Sequence, residues 1–247
     1  MALSKENGMF LKQIPIHEQT EDICLAAVKE NGWALEYVHH QTPEICLEAV
    51  KENGWALKFV KVQTPEICQE AIKQNGFALQ YVKKQSHEIC LEAVRQNGLA
   101  LQFVNHQTYD LCLEAVKQSG TALKFVNTQT YDLCLEAVKQ DGLALGHVRK
   151  QTEKLCLEAI KQTPTSILYI KHPTEEIYLT ALLQIAFYSQ EMPQYTQEMK
   201  VIHHLISKDS AKDHYCSYQE IRLKISKGEL KKNQSPYHVL EQLSRHR

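Results

Sequence analysis

Apolar and polar positions along this chain repeat with a period of 22 residues. The clearest copy, QTPEICLEAVKENGWALKFVK, covers residues 41–61. Its first part places apolar residues three and four positions apart, on one face of a helix, at Ile45, Cys46, Ala49 and Val50. Its second part, WALKFVK, is a further short apolar run. The pattern therefore predicts a helical hairpin in each repeat.

The first helix of the hairpin has both a start signal and a stop signal. Thr42 is a typical N-cap, Pro43 suits the first helical position, and Glu44 is favourable near the positive end of a helix. Asn53 and Gly54 follow, and glycine can adopt the left-handed conformation that ends many helices. We therefore expect a helix of about ten residues from Pro43, a left-handed glycine, and then a second, shorter helix.

The repeat recurs without a gap, since its first hydroxyl residue returns at Thr20, Thr42, Thr64, Ser86, Thr108, Thr130, Thr152 and Thr174. Cysteine, glycine and glutamine each recur at their own position in the unit. Helices this short are marginal alone, so each hairpin must be stabilised by its neighbours. The predicted fold is all-α: an α-solenoid of 22-residue helical hairpins with a C-terminal helical cap.

The repeat pattern divides the chain into three predicted regions. Residues 1–19 contain a degenerate N-terminal copy, and residues 20–173 contain seven tandem repeats. Residues 174–247 lose the pattern, and we expect three helices there, in EEIYLTALLQIAFYSQ, in PQYTQEMKVIHHLISK and near SPYHVLEQLSRH. This last region is expected to cap the apolar end of the array, so that its deletion causes aggregation.

The unit T-P-E-I-C-L-E-A-V-K-E-N-G-W-A-L-K-F-V-K-x-Q resembles the helical repeat known as domain of unknown function 4116, over about residues 20–173. That family occurs in tandem in host-associated bacteria and giant viruses. The resemblance therefore implies a repeat scaffold used against or inside a host. It implies no activity and no catalytic residues.

Cysteine is the residue type that most suggests chemistry. Seven of the eight cysteines occupy the same buried helical position, about 8 to 10 Å apart if the helices stack, whereas a disulfide needs Cα atoms within about 7 Å. A thiolate metal site needs closely paired ligands such as C-x-x-C. We interpret the cysteines as reduced, small, apolar core residues.

We expect neither a metal nor a cofactor, and we expect that the protein is not an enzyme. His203, His204, His214 and Cys216 have the spacing of no familiar metal site. The sequence has no phosphate-binding glycine loop, no G-x-S-x-G elbow and no H-E-x-x-H helix.

The net charge of -1 offers no general attraction for nucleic acid or anionic lipid. The basic residues Lys61, Lys83, Lys84, Arg149, Lys150 and Lys171 are interrupted by neutral ones, where a nucleic-acid groove would have a continuous track. The chain shows no secretory leader and no membrane span, so we expect a cytoplasmic monomer in its own cell or in a host.

Differences between the copies point to a binding surface. Three positions of the second helix vary between copies: the first, fourth and eighth residues after the repeated glycine. In a helix these three positions would share one face. In the N-terminal copies these candidate partner-binding residues are Trp33, Glu36, His40, Trp55, Lys58, Val62, Phe77, Gln80 and Lys84. The aromatic members suit a protein-binding hot spot, and they equally suit packing between hairpins.

The leading hypothesis is a non-catalytic interaction scaffold that binds a protein partner through this face. An alternative is a phage- or parasite-encoded inhibitor of a host or defence effector, for example a nuclease. A further alternative is a helical repeat protein that binds nucleic acid.

Overall fold

The computed structural model describes residues 9–174, 176–178, 180, 181, 183, 184 and 227. Those residues form α-helices and 3₁₀-helices, and they contain no β-strand. The predicted all-α repeat solenoid is therefore confirmed. Each repeat is an α-helix of ten residues followed by a 3₁₀-helix of six, so that the second, shorter helix of the hairpin is the tighter type.

The α-helices of the described residues are α1 Glu21–Glu30, α2 Pro43–Glu52, α3 Pro65–Gln74, α4 His87–Gln96, α5 Tyr109–Gln118, α6 Tyr131–Gln140 and α7 Glu153–Gln162. The 3₁₀-helices are η1 Met9–Gln13, η2 Ile16–Glu18, η3 Gly32–Tyr37, η4 Gly54–Phe59, η5 Gly76–Tyr81, η6 Gly98–Phe103, η7 Gly120–Phe125, η8 Gly142–His147 and η9 Pro164–Tyr169.

The repeated hydroxyl residue is the N-cap of each α-helix, as the sequence predicts. At α2 the Thr42 hydroxyl accepts a hydrogen bond from the Ile45 N–H at 3.3 Å. At α5 the cap differs, because the Thr108 hydroxyl makes no such bond and donates instead to the carboxylate of Asp110.

The expected left-handed glycine at the end of each α-helix is wrong. Asn53 ends α2 in an extended conformation, with φ -147° and ψ 110°, and its Oδ1 accepts from the Trp55 N–H at 3.0 Å. Gly54 then begins η4 with an ordinary backbone conformation. It is needed for space, because a Cβ there would lie 2.4 Å from the carbonyl oxygen of Ala71 in α3. The glycine thus lets one hairpin approach the next.

The repeated glutamine is the last residue of each unit from Thr to Gln, and it connects its own repeat to the next one. The Gln41 Nε2 donates to the carbonyl oxygen of Phe59 at 3.0 Å, and its Oε1 accepts from the Lys61 N–H at 2.9 Å. The same pair of bonds recurs at Gln63, Gln85, Gln107, Gln129 and Gln151. The side chain therefore satisfies backbone groups that the loop after each 3₁₀-helix leaves open.

The chain divides into two units, residues 1–128 and 129–247. In the first unit α1–α5 and η3–η7 bury a core of repeated small and branched side chains, as at Cys46, Ala49, Val50 and Leu57. In the second unit α6, α7, η8 and η9 bury the same repeat positions, as at Ala159 and Ile160. Each core is thus built from identical positions of successive repeats.

The predicted C-terminal cap is described only at its start. The Thr174 hydroxyl accepts from the Ile177 N–H at 3.5 Å, and the described residues from 176 to 184 are helical. Ile177, Ala181 and Leu183 are buried there. The remainder of the predicted cap, with its second and third helices, lies outside the described residues.

Candidate protein-binding surface

The nine predicted partner-binding residues all belong to the first unit, in three consecutive repeats. We call them the variable surface: Trp33, Glu36, His40, Trp55, Lys58, Val62, Phe77, Gln80 and Lys84. The first two positions of each repeat are three residues apart in a 3₁₀-helix, which is one full turn, so Trp33 and Glu36 lie on one face. The third position lies beyond the helix: His40 occupies the bend that follows η3. The expectation of a single helix face therefore fails for His40, Val62 and Lys84.

Most of the variable surface is open to solvent. Val62 is 77% exposed and Trp33 is 38% exposed. Glu36, His40, Lys58, Gln80 and Lys84 are also exposed, while Trp55 and Phe77 are half-buried. An aliphatic residue as open as Val62 contributes little to the core, so the repeat leaves this position free for other uses.

The aromatic members of the variable surface pack between hairpins. Each ring meets an aromatic ring of the following repeat edge to face, with centroids 5.7 to 6.0 Å apart, in the pairs Trp33–Phe59, Trp55–Tyr81 and Phe77–Phe103. These contacts support the packing interpretation of the three rings. The exposed part of Trp33 leaves room for a second contact from outside.

The polar members of the variable surface form few bonds with the rest of the protein. The Lys58 ammonium lies 5.4 Å from the centroid of the Phe59 ring, and the Gln80 amide donates to the carbonyl oxygen of Phe77 at 3.2 Å. Glu36 and Lys84 make no hydrogen bond or ion pair with another described residue. These side chains are therefore available to a partner.

Two of the basic residues that could have formed a nucleic-acid track have structural contacts instead. The Lys61 ammonium donates to the carbonyl oxygen of His39 at 2.8 Å, and that of Lys83 donates to the carbonyl oxygen of Lys61 at 2.9 Å. Both bonds connect one repeat to the repeat before it. They fix the position of these charges at the loops and so reduce what remains for phosphate binding.

The repeated cysteines are free thiols and are buried, which confirms their interpretation as core residues. At Cys46, Cys68, Cys90, Cys112 and Cys134 the Sγ donates to the Oε1 of the glutamine five residues earlier, at 3.6 to 3.8 Å. Burial raises the pKa of the thiols above the ordinary value. A raised pKa lowers the thiolate fraction at neutral pH, which makes these groups poor nucleophiles.

The described residues hold neither a cluster of metal ligands nor a membrane-spanning helix. No group of three or more histidine, cysteine or carboxylate side chains there could hold a metal ion. No helix in the same residues is long and apolar enough to cross a bilayer. The histidines at 203, 204 and 214 and Cys216 lie outside the described residues.

The repeated glutamine is visible in the sequence, but its role is not. The sequence does contain a signal for this role, because successive copies keep a neutral side chain that has both a donor group and an acceptor. Recognising its role required the position of the next repeat, whose backbone it bonds.

The comparisons with known proteins agree with this architecture. The family described as Domain of unknown function (DUF4116) matches four times, over residues 20–64, 42–85, 64–108 and 86–130. The matches overlap, and each spans about two repeats. No curated protein and no solved structure matches the chain significantly.

Proposed function

Residues 20–130 match the model of a family without an assigned activity, so we propose a function for the chain from its surface. The chain is a non-catalytic protein–protein interaction scaffold. It binds a protein partner through the variable surface of the first unit. The binding uses shape and side-chain contacts, and it requires no cofactor.

One observation carries this proposal: the constant and the variable positions of the repeat differ in burial and in bonding to neighbouring repeats. The constant residues are buried or bonded to the next repeat, as Cys46, Ala49, Gly54 and Gln41 are. The variable residues are mainly exposed and make few bonds, as at Val62 and Lys84. A surface that the fold does not need, and that changes from repeat to repeat, is typical of the recognition faces of helical repeat proteins.

The aromatic packing supports a binding role for Trp33. Its ring is held by Phe59 and is still 38% exposed, so a partner would meet an aromatic group whose position is fixed beforehand. Fixed aromatic side chains are common anchors of protein interfaces, because little conformational entropy is lost when they are covered.

Charge supports the narrower version, in which the partner is a host or defence effector such as a nuclease. The helices α1–α5 contain twelve acidic and five basic residues, while the segments between and after them, up to residue 128, contain one acidic and five basic residues. An excess of carboxylates on the α-helices suits a second contact, outside the variable surface, with a partner that normally binds polyanions. Direct binding of nucleic acid has weaker support, because Lys61 and Lys83 bond to the backbone.

The proposal is tested by crosslinking in the native cytosol. A photoreactive amino acid replaces Val62 in the full chain, and the products are identified by mass spectrometry. In a second preparation the photoreactive residue replaces Ala26, an exposed position on α1 outside the variable surface. We expect a distinct protein adduct from position 62 that is absent from position 26.

Two changes establish which surface is responsible. In the chain that carries the photoreactive residue at position 62, Lys58→Glu with Lys84→Glu reverses the charge of the surface at exposed positions, so the fold should be retained while the adduct is lost. Adducts that persist in this double variant would contradict the proposal. Adducts that contain nucleic acid, and that decline steeply as salt is raised, would replace it by the nucleic-acid alternative.

A further inference from the structure

A groove of about 350 Å³ lies between α3 and α4. Gln69 and Ile72 line it from α3, and Ile89 and Leu91 line it from α4. These residues belong to the α-helices, so the groove is separate from the variable surface, which belongs to the 3₁₀-helices and the bends after them.

The repeat pattern is altered at this groove. Gln69 stands at a position that is otherwise leucine, at Leu25, Leu47, Leu91, Leu113, Leu135 and Leu157. Ser86 and His87 replace the Thr–Pro pair that begins α2 and α3. Ile89 is half-buried, whereas its equivalents Ile45, Ile67 and Leu111 are buried. The apolar side of α4 is therefore covered less completely than that of its neighbours.

Two carboxylates and one cation line the same groove, and the cation, Arg95, is already paired with a carboxylate outside it. In other helices the glutamate of this column pairs with the lysine three residues later, as in Glu48–Lys51 at 2.8 Å and Glu70–Lys73 at 3.6 Å. In α4 the Arg95 side chain lies 3.5 Å from the carboxylate of Glu114 in the next helix. Neither Glu88 nor Glu92 forms an ion pair with a described residue, and both line the groove.

We propose that this groove binds a cationic amphipathic segment of a partner protein. An aliphatic side chain of that segment contacts the half-buried Ile89 and Leu91, and a lysine or arginine beside it pairs with Glu88 and Glu92. The apolar contact supplies the affinity, because it removes half-covered side chains from water. The two carboxylates select the sign of the charge, and they speed the encounter.

The probe is a short fluorescent peptide of alternating leucine and lysine residues, titrated with the full chain and followed by fluorescence anisotropy at low salt. Two related peptides separate the two contributions: one replaces each leucine by serine, and the other replaces each lysine by glutamate. We expect the serine peptide to bind at least about tenfold more weakly, and the glutamate peptide not to bind.

Two variants place the binding in the groove. Glu88→Gln with Glu92→Gln removes the carboxylates, and Gln69→Arg puts a cation of the chain itself where the partner's cation would lie. Each is expected to weaken binding of the leucine–lysine peptide at least about tenfold. The matched controls are Glu44→Gln with Asp132→Asn, and Ala26→Arg, which change the net charge equally at exposed helix positions outside the groove. They are expected to change the affinity less than about twofold.

Circular dichroism and the melting temperature confirm that every variant is folded. The proposal is overturned if the wild-type chain does not bind the leucine–lysine peptide. It is also overturned if the control variants lose as much affinity as the groove variants, or if the serine peptide binds as tightly. Either of those results would mean that binding depends only on the general charge of the α-helices.

Discussion

At Gln85 a single carboxamide bonds to four groups, one of which is the carbonyl oxygen of Leu79 in the preceding 3₁₀-helix, 3.4 Å from its Nε2. Its Nε2 donates to the carbonyl oxygen of Phe103 at 2.8 Å, and its Oε1 accepts from the Asn105 N–H at 2.9 Å and from the Cys90 thiol at 3.6 Å. An ionised glutamate has no hydrogen-bond donor, and methionine has no donor and only a weakly accepting sulfur. Among side chains of this length, only glutamine completes the contact between repeats.

Replacing Gln85 by alanine should lower the free energy of unfolding by about 2 to 3 kcal/mol, because two backbone groups lose their partners. Urea unfolding followed by circular dichroism measures the loss. Gln69→Ala is the control, since Gln69 is exposed and bonds to no described residue, and its effect should stay within about 0.5 kcal/mol. Equal effects of the two substitutions would refute the structural role of Gln85.

The buried cysteines make stability depend on alkaline pH. Burial raises the pKa of Cys68 and Cys90 in the folded chain, whereas in the unfolded chain both thiols return to the ordinary value. The neutral thiol is therefore favoured by folding. The contribution is complete below the unfolded pKa and is lost as the pH rises through the folded pKa.

The wild-type chain should lose stability more steeply above about pH 8.5 than a Cys68→Ala, Cys90→Ala variant does. The comparison removes the contributions of lysine and tyrosine, which titrate equally in both proteins. Urea midpoints at neutral and alkaline pH give the two slopes. Parallel slopes would show that burial does not shift these thiols.

At the scale of the elements, glycine sets how closely the hairpins approach each other. A Cβ at Gly32, Gly54 or Gly98 would lie 2.4 Å from the carbonyl oxygen of an alanine in the next α-helix. Such a contact involves backbone atoms, which cannot turn away as a side chain can. Small residues on both sides, glycine and the buried alanine, thus set the distance between adjacent repeats.

Gly54→Ala should therefore lower the free energy of unfolding by about 1 to 3 kcal/mol, as overpacking does elsewhere. The matched control is Lys58→Ala, an exposed position in the same 3₁₀-helix η4, with an expected change within about 0.5 kcal/mol. Thermal and urea unfolding of both variants make the comparison. A neutral or stabilising Gly54→Ala would mean that the repeats can separate without cost.

At the scale of the whole molecule, repeats bury each other, so the terminal repeats need other residues to cover them. In the first unit Leu11 of η1 is buried beside the first hairpin. In the second unit Ile177, Ala181 and Leu183 are buried after the last repeat. These residues cover apolar side chains of the terminal repeats, as a neighbouring hairpin does for the other repeats.

Deletion of residues 174–247 should cause aggregation, because it uncovers apolar side chains of the last repeat such as Ile167. Size-exclusion chromatography with light scattering measures the result against the full chain. A truncated protein that stays monomeric and folded would contradict this prediction.

The sequence by itself determined the repeat, the helix starts, the buried columns and the free state of the cysteines. These follow from short-range rules: Thr42 caps the helix to which it belongs, and Cys46 lies on the apolar face of that helix. Such features need no knowledge of where the next hairpin lies. The residues of the variable surface are selected in the same way, and their role in binding stays a prediction.

Only the tertiary structure decided what connects one hairpin to another. Glycine is required at position 54 because a carbonyl oxygen 17 residues later in the chain leaves no space for a Cβ. Gln41 bonds to backbone groups of the following repeat. The groove beside Gln69 likewise depends on how α3 and α4 pack. Contacts between repeats depend on distances across the stack, and the period of a sequence contains the order of the residues but not those distances.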